Sequence, residues 1–216
     1  PMFVIMSFAY GLAIFMLVLM YGFAQEGRAL GDRLLLRLKN LLGTFVAAIL
    51  YFTAVYFLTK VYGAKNYDLV SWLLLHGGIY TAVFWIGWVL IGGLIPLGII
   101  YHPVLGKDRN WIVAACALVI LGGLATLYVV IIGGQAYPLQ MFPDQTILES
   151  GFLDGVQGEA APYSPSLPEV LLGLGGVAVA LLITAVGVRV LQFLPESLSD
   201  DAIPADEGAT PALAEA

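Results

Sequence analysis

Two histidines are the side chains of this sequence best suited to redox or proton chemistry. His76 and His102 are the only histidines, and membrane cytochromes hold haem between paired histidines on facing helices. Here the two flank one apolar run at its opposite ends, about 39 Å apart if the intervening residues are helical. One haem cannot use both, so we expect no haem within this chain.

Further candidate residues lie near the ends of the apolar runs on the side of His76. His76 could exchange protons or hydrogen-bond a quinone carbonyl, or it could be an ordinary interfacial histidine. Glu169 starts the last run, where the helix dipole favours its ionised form, whereas burial would favour protonation. If the chain contributes to a quinone or proton path, the best-placed polar groups are His76, Tyr80, Gln135, Tyr137 and Glu169.

No metal site and no catalytic residue is predicted from the sequence. Cys116 is the only cysteine, so iron–sulfur and thiolate zinc sites are excluded within the chain. It lies in the middle of an apolar run, and we interpret it as a buried packing residue. No basic patch suited to nucleic acid is present.

The composition places these residues in a helical membrane protein. Only 11% of the residues are charged and 60% are hydrophobic, whereas soluble domains are about 25% charged. A membrane helix needs roughly 20 apolar residues. Five such runs are present, at residues 2–24, 41–59, 79–101, 111–132 and 170–194. We therefore predict an all-α integral membrane bundle of about five transmembrane helices.

The charges predict how the bundle is oriented. No lysine or arginine occurs between Arg109 and Arg189, although five acidic residues do. Basic residues favour the cytoplasmic side, so the loops at 28–39 and 107–109 should be cytoplasmic and residues 133–168 should form a long extracytoplasmic loop. The acidic, alanine- and proline-rich residues 195–216 are predicted to be a disordered cytoplasmic tail.

The sequence also predicts a break in one short apolar segment and close helix contacts at several glycines. The stretch LVSWLLLHGG at residues 69–78 is too short to span a membrane, and we interpret it as an interfacial or re-entrant segment broken at Gly77-Gly78. The glycine pairs Gly92-Gly93 and Gly122-Gly123, and Gly173, Gly175 and Gly176, are predicted to be close-packing positions between helices. Because the sequence opens at Pro1 inside an apolar run, we also expect an N-terminal part to precede it.

Three segments resemble a known membrane family. YVVIIGGQAYPLQMFPDQ (128–145) and YSPSLPEVLLGLGGVAVALLITAVGVRVLQFLPE (163–196) resemble the end of the NrfD/polysulfide reductase membrane-subunit family, most closely its DsrP-like branch. The segment FWIGWVLIGGLIPL (84–97) is similar to a helix of that family. The resemblance covers the last three helices well and the first two by pattern, which implies that this chain corresponds to the C-terminal half of such a subunit.

The resemblance implies a function in respiration. Members of the family have eight to ten helices, carry no redox centre of their own, use menaquinone or ubiquinone as substrate, and contact a ferredoxin-like iron–sulfur subunit at the outer face. By that resemblance the chain would be a quinone-interacting anchor of an oxidoreductase complex with other membrane and catalytic subunits, in sulfur metabolism, in the bacterial inner membrane. Some relatives carry an acid where this chain has Gly87-Trp88. A half-transporter or a purely structural subunit that docks a partner through its outer loop is the alternative.

Overall fold

The computed structural model describes residues 2–63, 67–136, 165–191 and 198–199, and these residues form helices joined by short connections. Five helices are long and apolar enough to cross a membrane, which confirms the predicted all-α membrane class. The elements in chain order are α1 (Met2–Gln25), α2 (Asp32–Tyr62), the short α3 (Tyr67–Ser71, continued by a π-helical turn at Trp72–His76), α4 (Ile79–Tyr101), α5 (Arg109–Ala136) and α6 (Leu167–Leu191).

Helix α2 is longer than the apolar run that predicts it. It begins at Asp32 and has 31 residues, about 47 Å at 1.5 Å per residue. That exceeds a hydrocarbon core of about 30 Å. Its first turns carry Arg33 and Arg37, whose long side chains can extend to the interface. From Asp32 onward, the basic segment and the second apolar run therefore form one continuous helix.

A glycine turn separates α3 from α4. Gly78 has a φ of +57°, in the left-handed region that glycine adopts without strain. The break predicted at Gly77-Gly78 is therefore present. The preceding helical segment ends at His76, and α4 begins directly after the turn, at Ile79.

Close glycine contacts bring α4 and α5 together. A Cβ atom added to Gly92 would overlap the Cα atom of Gly122, and one added to Gly122 would overlap that of Gly92. Gly93 packs against the side chain of Leu50, and Gly123 packs against the ring of Tyr10. The prediction that these glycines are close-packing positions is confirmed, because small residues let helix backbones approach within a membrane.

Helix α6 behaves differently from the other four spans. None of its membrane-spanning window is buried, and an added Cβ at Gly173, Gly175 or Gly176 would meet nothing within 4 Å. The prediction that these three glycines pack between helices is thus wrong for contacts within the described chain. Their sequence pattern resembles that of Gly92 and Gly122, but no neighbouring helix among the described residues lies against them.

Several polar contacts tie together one end of the bundle, which we call the basic end. The Lys39 ammonium donates to the Ile100 carbonyl oxygen at 2.8 Å, and Arg109 Nη2 donates to the Leu30 carbonyl oxygen at 2.6 Å. Leu198 pairs with the same loop: Gly31 N–H donates to its carbonyl oxygen at 2.7 Å, and its N–H donates to the Ala29 carbonyl oxygen at 3.0 Å. The chain beyond α6 therefore returns to the loop between α1 and α2.

The predicted outer loop and tail fall largely outside the described residues. Helix α5 continues to Ala136 and α6 begins at Leu167, so residues 133–136 of the predicted loop range 133–168 belong to a helix. Residues 137–164 lie outside the described ranges, as does the tail apart from 198–199. The predicted disorder of the tail stays a prediction.

Candidate functional site: an aromatic cluster at the opposite end

A group of aromatic rings lies at the end of the bundle away from the basic end, which we call the opposite end. It consists of Trp72 on α3, Tyr80 and Phe84 on α4, and Tyr128 on α5, and we call it the aromatic cluster. The Trp72 and Tyr80 ring centroids are 5.6 Å apart, and the Tyr80 and Tyr128 rings stack at 5.7 Å with 21° between their planes. Rings at these separations attract one another beyond simple area burial.

Tyr80 is the centre of the cluster, because the glycine turn places it in the bundle interior. Its N–H donates to the Gly77 carbonyl oxygen at 3.1 Å, and its side chain is 2% exposed. A Cβ atom added to Gly133 on α5 would lie 3.3 Å from Tyr80 Cδ1. The absence of a side chain at Gly133 thus makes room for the tyrosine ring.

Side-chain hydrogen bonds hold α3 against α4. Thr81 Oγ1 donates to the Leu73 carbonyl oxygen at 2.9 Å and accepts from Gly77 N–H at 3.0 Å. Trp85 Nε1 donates to the Leu74 carbonyl oxygen at 2.9 Å. These carbonyls belong to the π-helical turn, so the bonds fix the position of Trp72 relative to Tyr80.

Three helices depart from regular α-helical geometry around this cluster. The π-helical segments are Trp72–His76, Val83–Leu94 and Tyr128–Gly133. Such segments occur frequently at functional sites, because the wider helix turns side chains and carbonyls away from their usual directions. Their convergence on the rings of Trp72, Tyr80 and Tyr128 marks this region as the candidate site.

The candidate residues from the sequence are only partly brought together. Tyr80 is in the cluster, and Gln135 lies two residues beyond Gly133, which contacts Tyr80. His76 and Gln135 are exposed. Tyr137 lies outside the described residues. The proposed role of this set in a quinone or proton path stays a prediction.

Glu169 has a local structural role. Its Oε2 accepts a hydrogen bond from the Ser166 N–H at 2.8 Å, and the Ser166 carbonyl oxygen accepts from Val170 N–H at 3.1 Å. A glutamate that reaches back to the residue before the helix is one half of a capping box. The carboxylate is exposed and stabilises the start of α6.

His102 also has a local structural role. It ends α4 at the basic end, and its Nδ1 accepts from the N–H groups of Val104 and Leu105, both at 3.2 Å. The turn after α4 is thereby closed. As the sequence predicted, the two histidines lie beyond opposite ends of α4.

Several residues of the site region were not found by sequence reasoning. Trp72 and Trp88 are 7% and 4% exposed, so both lie in the interior of the bundle. The Tyr10 hydroxyl is buried close to the side chains of Thr126 and Trp88. No periodic signal distinguishes these residues, because every face of such helices is apolar.

The groups in this cluster that can contact a planar ring are its aromatic faces and its tyrosine hydroxyls. Flat aromatic surfaces can stack on such a ring, and the tyrosine hydroxyls can donate hydrogen bonds to its oxygen atoms. Within the described residues, no group of three or more histidine, cysteine, aspartate or glutamate side chains is placed to hold a metal ion.

Comparison with known proteins shows which family the sequence is similar to. The sequence matches the family described as "Polysulphide reductase, NrfD" over residues 1–138. It is 30% identical over 205 residues to the "Hdr-like menaquinol oxidoreductase integral membrane subunit" of Archaeoglobus fulgidus. That alignment covers 94% of this chain and 51% of the relative, so the chain spans about half of the relative's length. No solved structure matches.

The family match covers a different part of the chain from the strongest sequence resemblance. Residues 1–138 include α1 to α5 and exclude α6, whereas the motifs at 128–145 and 163–196 lie mostly beyond them. The glycine contact between α4 and α5 and the aromatic cluster both lie within the matched residues. This chain belongs to the NrfD polysulphide reductase family of multi-pass membrane proteins.

Proposed function

We propose that this chain is the quinone-interacting membrane subunit of a respiratory oxidoreductase complex, with the aromatic cluster around Tyr80 as its contact with the quinone ring. The relative from Archaeoglobus fulgidus is named as a subunit of a menaquinol oxidoreductase. The observation that carries the proposal is the stack of Tyr80 and Tyr128 where three π-helical segments converge.

The position of the cluster suits menaquinone or ubiquinone. A quinone is confined to the membrane by its apolar tail, so its ring must enter between helices. Tyr80 lies one residue into α4, close to the end of the span, where a ring bound from the membrane can still exchange protons with water. Stacking on the aromatic rings and hydrogen bonds from tyrosine hydroxyls to the quinone oxygens would orient the ring.

The electron partner is proposed to be a ferredoxin-like iron–sulfur subunit. An iron–sulfur cluster is held by several thiolates, and this chain has one cysteine, Cys116, which is buried. The cluster would therefore belong to another subunit of the complex, docked at the outer face through residues 137–164. Deletion of residues 145–160 should release that subunit from membranes while the helices still insert; its retention at the wild-type level would contradict docking there.

The physiological setting is proposed from family and charge. The family is described as polysulphide reductase, which supports a place in the metabolism of sulfur compounds. The clustering of arginines at the basic end favours a cytoplasmic location for that end. We therefore propose the bacterial inner membrane, with the aromatic cluster on the outer side.

Replacement of the cluster tyrosines tests the proposal. In the purified complex, Tyr80→Phe and Tyr128→Phe each keep the ring but remove the hydroxyl. We expect each to lower quinol-dependent reduction of the iron–sulfur partner about tenfold, since one lost hydrogen bond to a reacting group costs on the order of 1.4 kcal/mol. Tyr101→Phe, which removes a hydroxyl from a tyrosine that is 58% exposed at the other end of the same helix, should leave the rate unchanged. Wild-type rates in both cluster variants, with the complex intact, would reject Tyr80 and Tyr128 as quinone contacts.

A purely structural subunit is the second candidate, and one observation favours it. None of the membrane-spanning window of α6 is buried by other described residues, as expected for a helix that packs against another subunit. Redox titration of the complex with and without a quinone-site inhibitor separates the two functions. An inhibitor effect that disappears in Tyr80→Phe supports quinone binding by this chain, whereas an effect unchanged in every variant supports scaffolding.

A further inference from the structure

A groove between α1 and α5 opens at the basic end of the bundle, far from the aromatic cluster. It encloses about 540 Å³. The last turns of α1, the following loop and the first turns of α5 form its walls. Its lining includes Leu17, Met20, Arg28, Arg109, Asn110 and Val113.

The groove is polar at one end and apolar at the other. Arg109 and Asn110 begin α5, and Val113 lies one turn further into the membrane. On α1, Leu17 and Met20 lie about one to two turns before its end at Gln25. Cationic groups at the membrane surface therefore lead into apolar side chains at the depth of the lipid tails.

Arg109 is held in place by two bonds from a single nitrogen. Its Nη2 donates to the Leu30 carbonyl oxygen at 2.6 Å and to Asp32 Oδ1 at 2.8 Å. A guanidinium group has five N–H donors in a fixed plane. The side chain is 49% exposed, so the group is fixed by one edge while the other donors can reach a ligand.

Arg28 supplies a second cation to the same groove. Its Nε lies 2.6 Å from Glu26 Oε2. The carboxylates of Glu26 and Asp32 do not line the groove, whereas both arginines do. The two charged residues that line the groove are therefore both cationic, and each is paired with an acidic residue beside the groove.

We propose that this groove binds an anionic phospholipid, with its phosphodiester head group between Arg28 and Arg109 and an acyl chain along Leu17, Met20 and Val113. Arginine binds phosphate oxygens with paired, charge-assisted hydrogen bonds. Basic pockets between membrane helices are a recurring mode of lipid head-group recognition. The match of charge at the surface and apolar lining within the membrane selects a lipid over a free phosphate, which would leave the apolar half empty.

Lipid retention by the purified complex tests the proposal. The complex is delipidated in a neutral detergent and loaded with phosphatidylglycerol or with zwitterionic phosphatidylcholine. Native mass spectrometry then measures how many lipid molecules stay bound to the complex. We expect selective retention of phosphatidylglycerol, which falls roughly tenfold or more in the double variant Arg28→Gln/Arg109→Gln. Lys60→Gln, which removes a cation from the opposite end, should retain the lipid as the wild type does.

A second variant keeps the test independent of the arginine bonds. Val113→Trp fills the apolar half of the groove and leaves Leu30, Asp32 and both arginines unchanged. It should also lower phosphatidylglycerol retention, whereas Leu121→Trp, at an exposed position two turns further along α5, should not.

Three outcomes would overturn the proposal. The first is equal retention of the two lipids by the wild type. The second is wild-type retention in both the arginine double variant and Val113→Trp. The third is no lipid in the wild type together with loss of a subunit in Val113→Trp, which would show that a protein surface fills the groove.

Discussion

The Lys39 ammonium is buried inside the bundle with a backbone carbonyl as its hydrogen-bond acceptor. Lys39 is 7% exposed and is the only charged side chain that is buried among the described residues. Its Nζ donates to the Ile100 carbonyl oxygen near the C-terminus of α4, where a positive charge is favoured by the helix dipole. The ammonium lies over Gly106, where a Cβ atom would come within 2.6 Å of Nζ. One lysine thereby connects α2, α4 and the turn that follows α4.

Substitution of Lys39 should destabilise the basic end. Lys39→Met retains most of the buried stem but removes the charged hydrogen bond, which should lower the free energy of unfolding by about 1.5–3 kcal/mol. Thermal unfolding of the detergent-solubilised protein measures the change. Lys107→Met, at an exposed position in the adjacent turn, serves as the control. Equal shifts in the two variants would show that the Ile100 contact contributes nothing specific.

Glycine spacing decides how closely the helices approach. Gly92 and Gly122 face each other across the α4–α5 interface, whereas Gly98, on the same helix as Gly92, has nothing within 4 Å of an added Cβ. The two positions therefore allow a matched comparison. The same substitution creates a backbone overlap at one position and enters open space at the other.

Gly92→Ala should separate α4 from α5. Because the new methyl group overlaps backbone, the helices must move apart, and we expect a loss of about 2–3 kcal/mol, in the range of overpacking in a tight core. Gly98→Ala should be neutral or slightly stabilising, since alanine is the better helix former. The fraction of folded protein in a graded denaturant series reports both changes. Similar curves for the two variants would contradict the close contact.

At the scale of the whole molecule, the helices define two ends that should lie on opposite sides of the membrane. Tyr62 ends α2 and is 94% exposed, and Val104 follows α4 and is 70% exposed. Cys116 is buried, so it should not react with thiol reagents in the folded protein. Single cysteines at Tyr62 and Val104 can thus report the orientation without removal of the native cysteine.

Labelling with an impermeant maleimide should distinguish the two ends. We expect Tyr62→Cys to react from the outside of intact cells and Val104→Cys to react only after the membrane is permeabilised, because the arginine-rich end favours the cytoplasm. The unsubstituted protein controls for Cys116. Reaction of both cysteines from the same side would contradict the two-ended bundle, and a reversed pattern would contradict the charge-based orientation.

The sequence by itself determined the number of spans, the break at Gly77-Gly78, and the family. Each of these depends on local properties: the length of an apolar run, the conformational freedom of glycine, and a contiguous motif. The glycine pairs of α4 and α5 were also identified correctly, because small residues in apolar helices commonly mark the places where two helix backbones approach closely. The same pattern in α6 meets no helix among the described residues, since a glycine pattern does not show whether the partner helix belongs to the same chain.

Only the tertiary structure decided which side chains meet. In a soluble helix the apolar stripe shows which face is buried, but a membrane helix is apolar on every face, so its rotation leaves little trace in the sequence. Trp72, Tyr80 and Tyr128 come from three helices and meet because of a glycine turn and π-helical segments that hydrophobicity does not encode. The burial of Lys39 could not be predicted, because Lys39 lies in a basic segment whose other charged residues are not buried. Its burial depends on the packing of α2 against the end of α4.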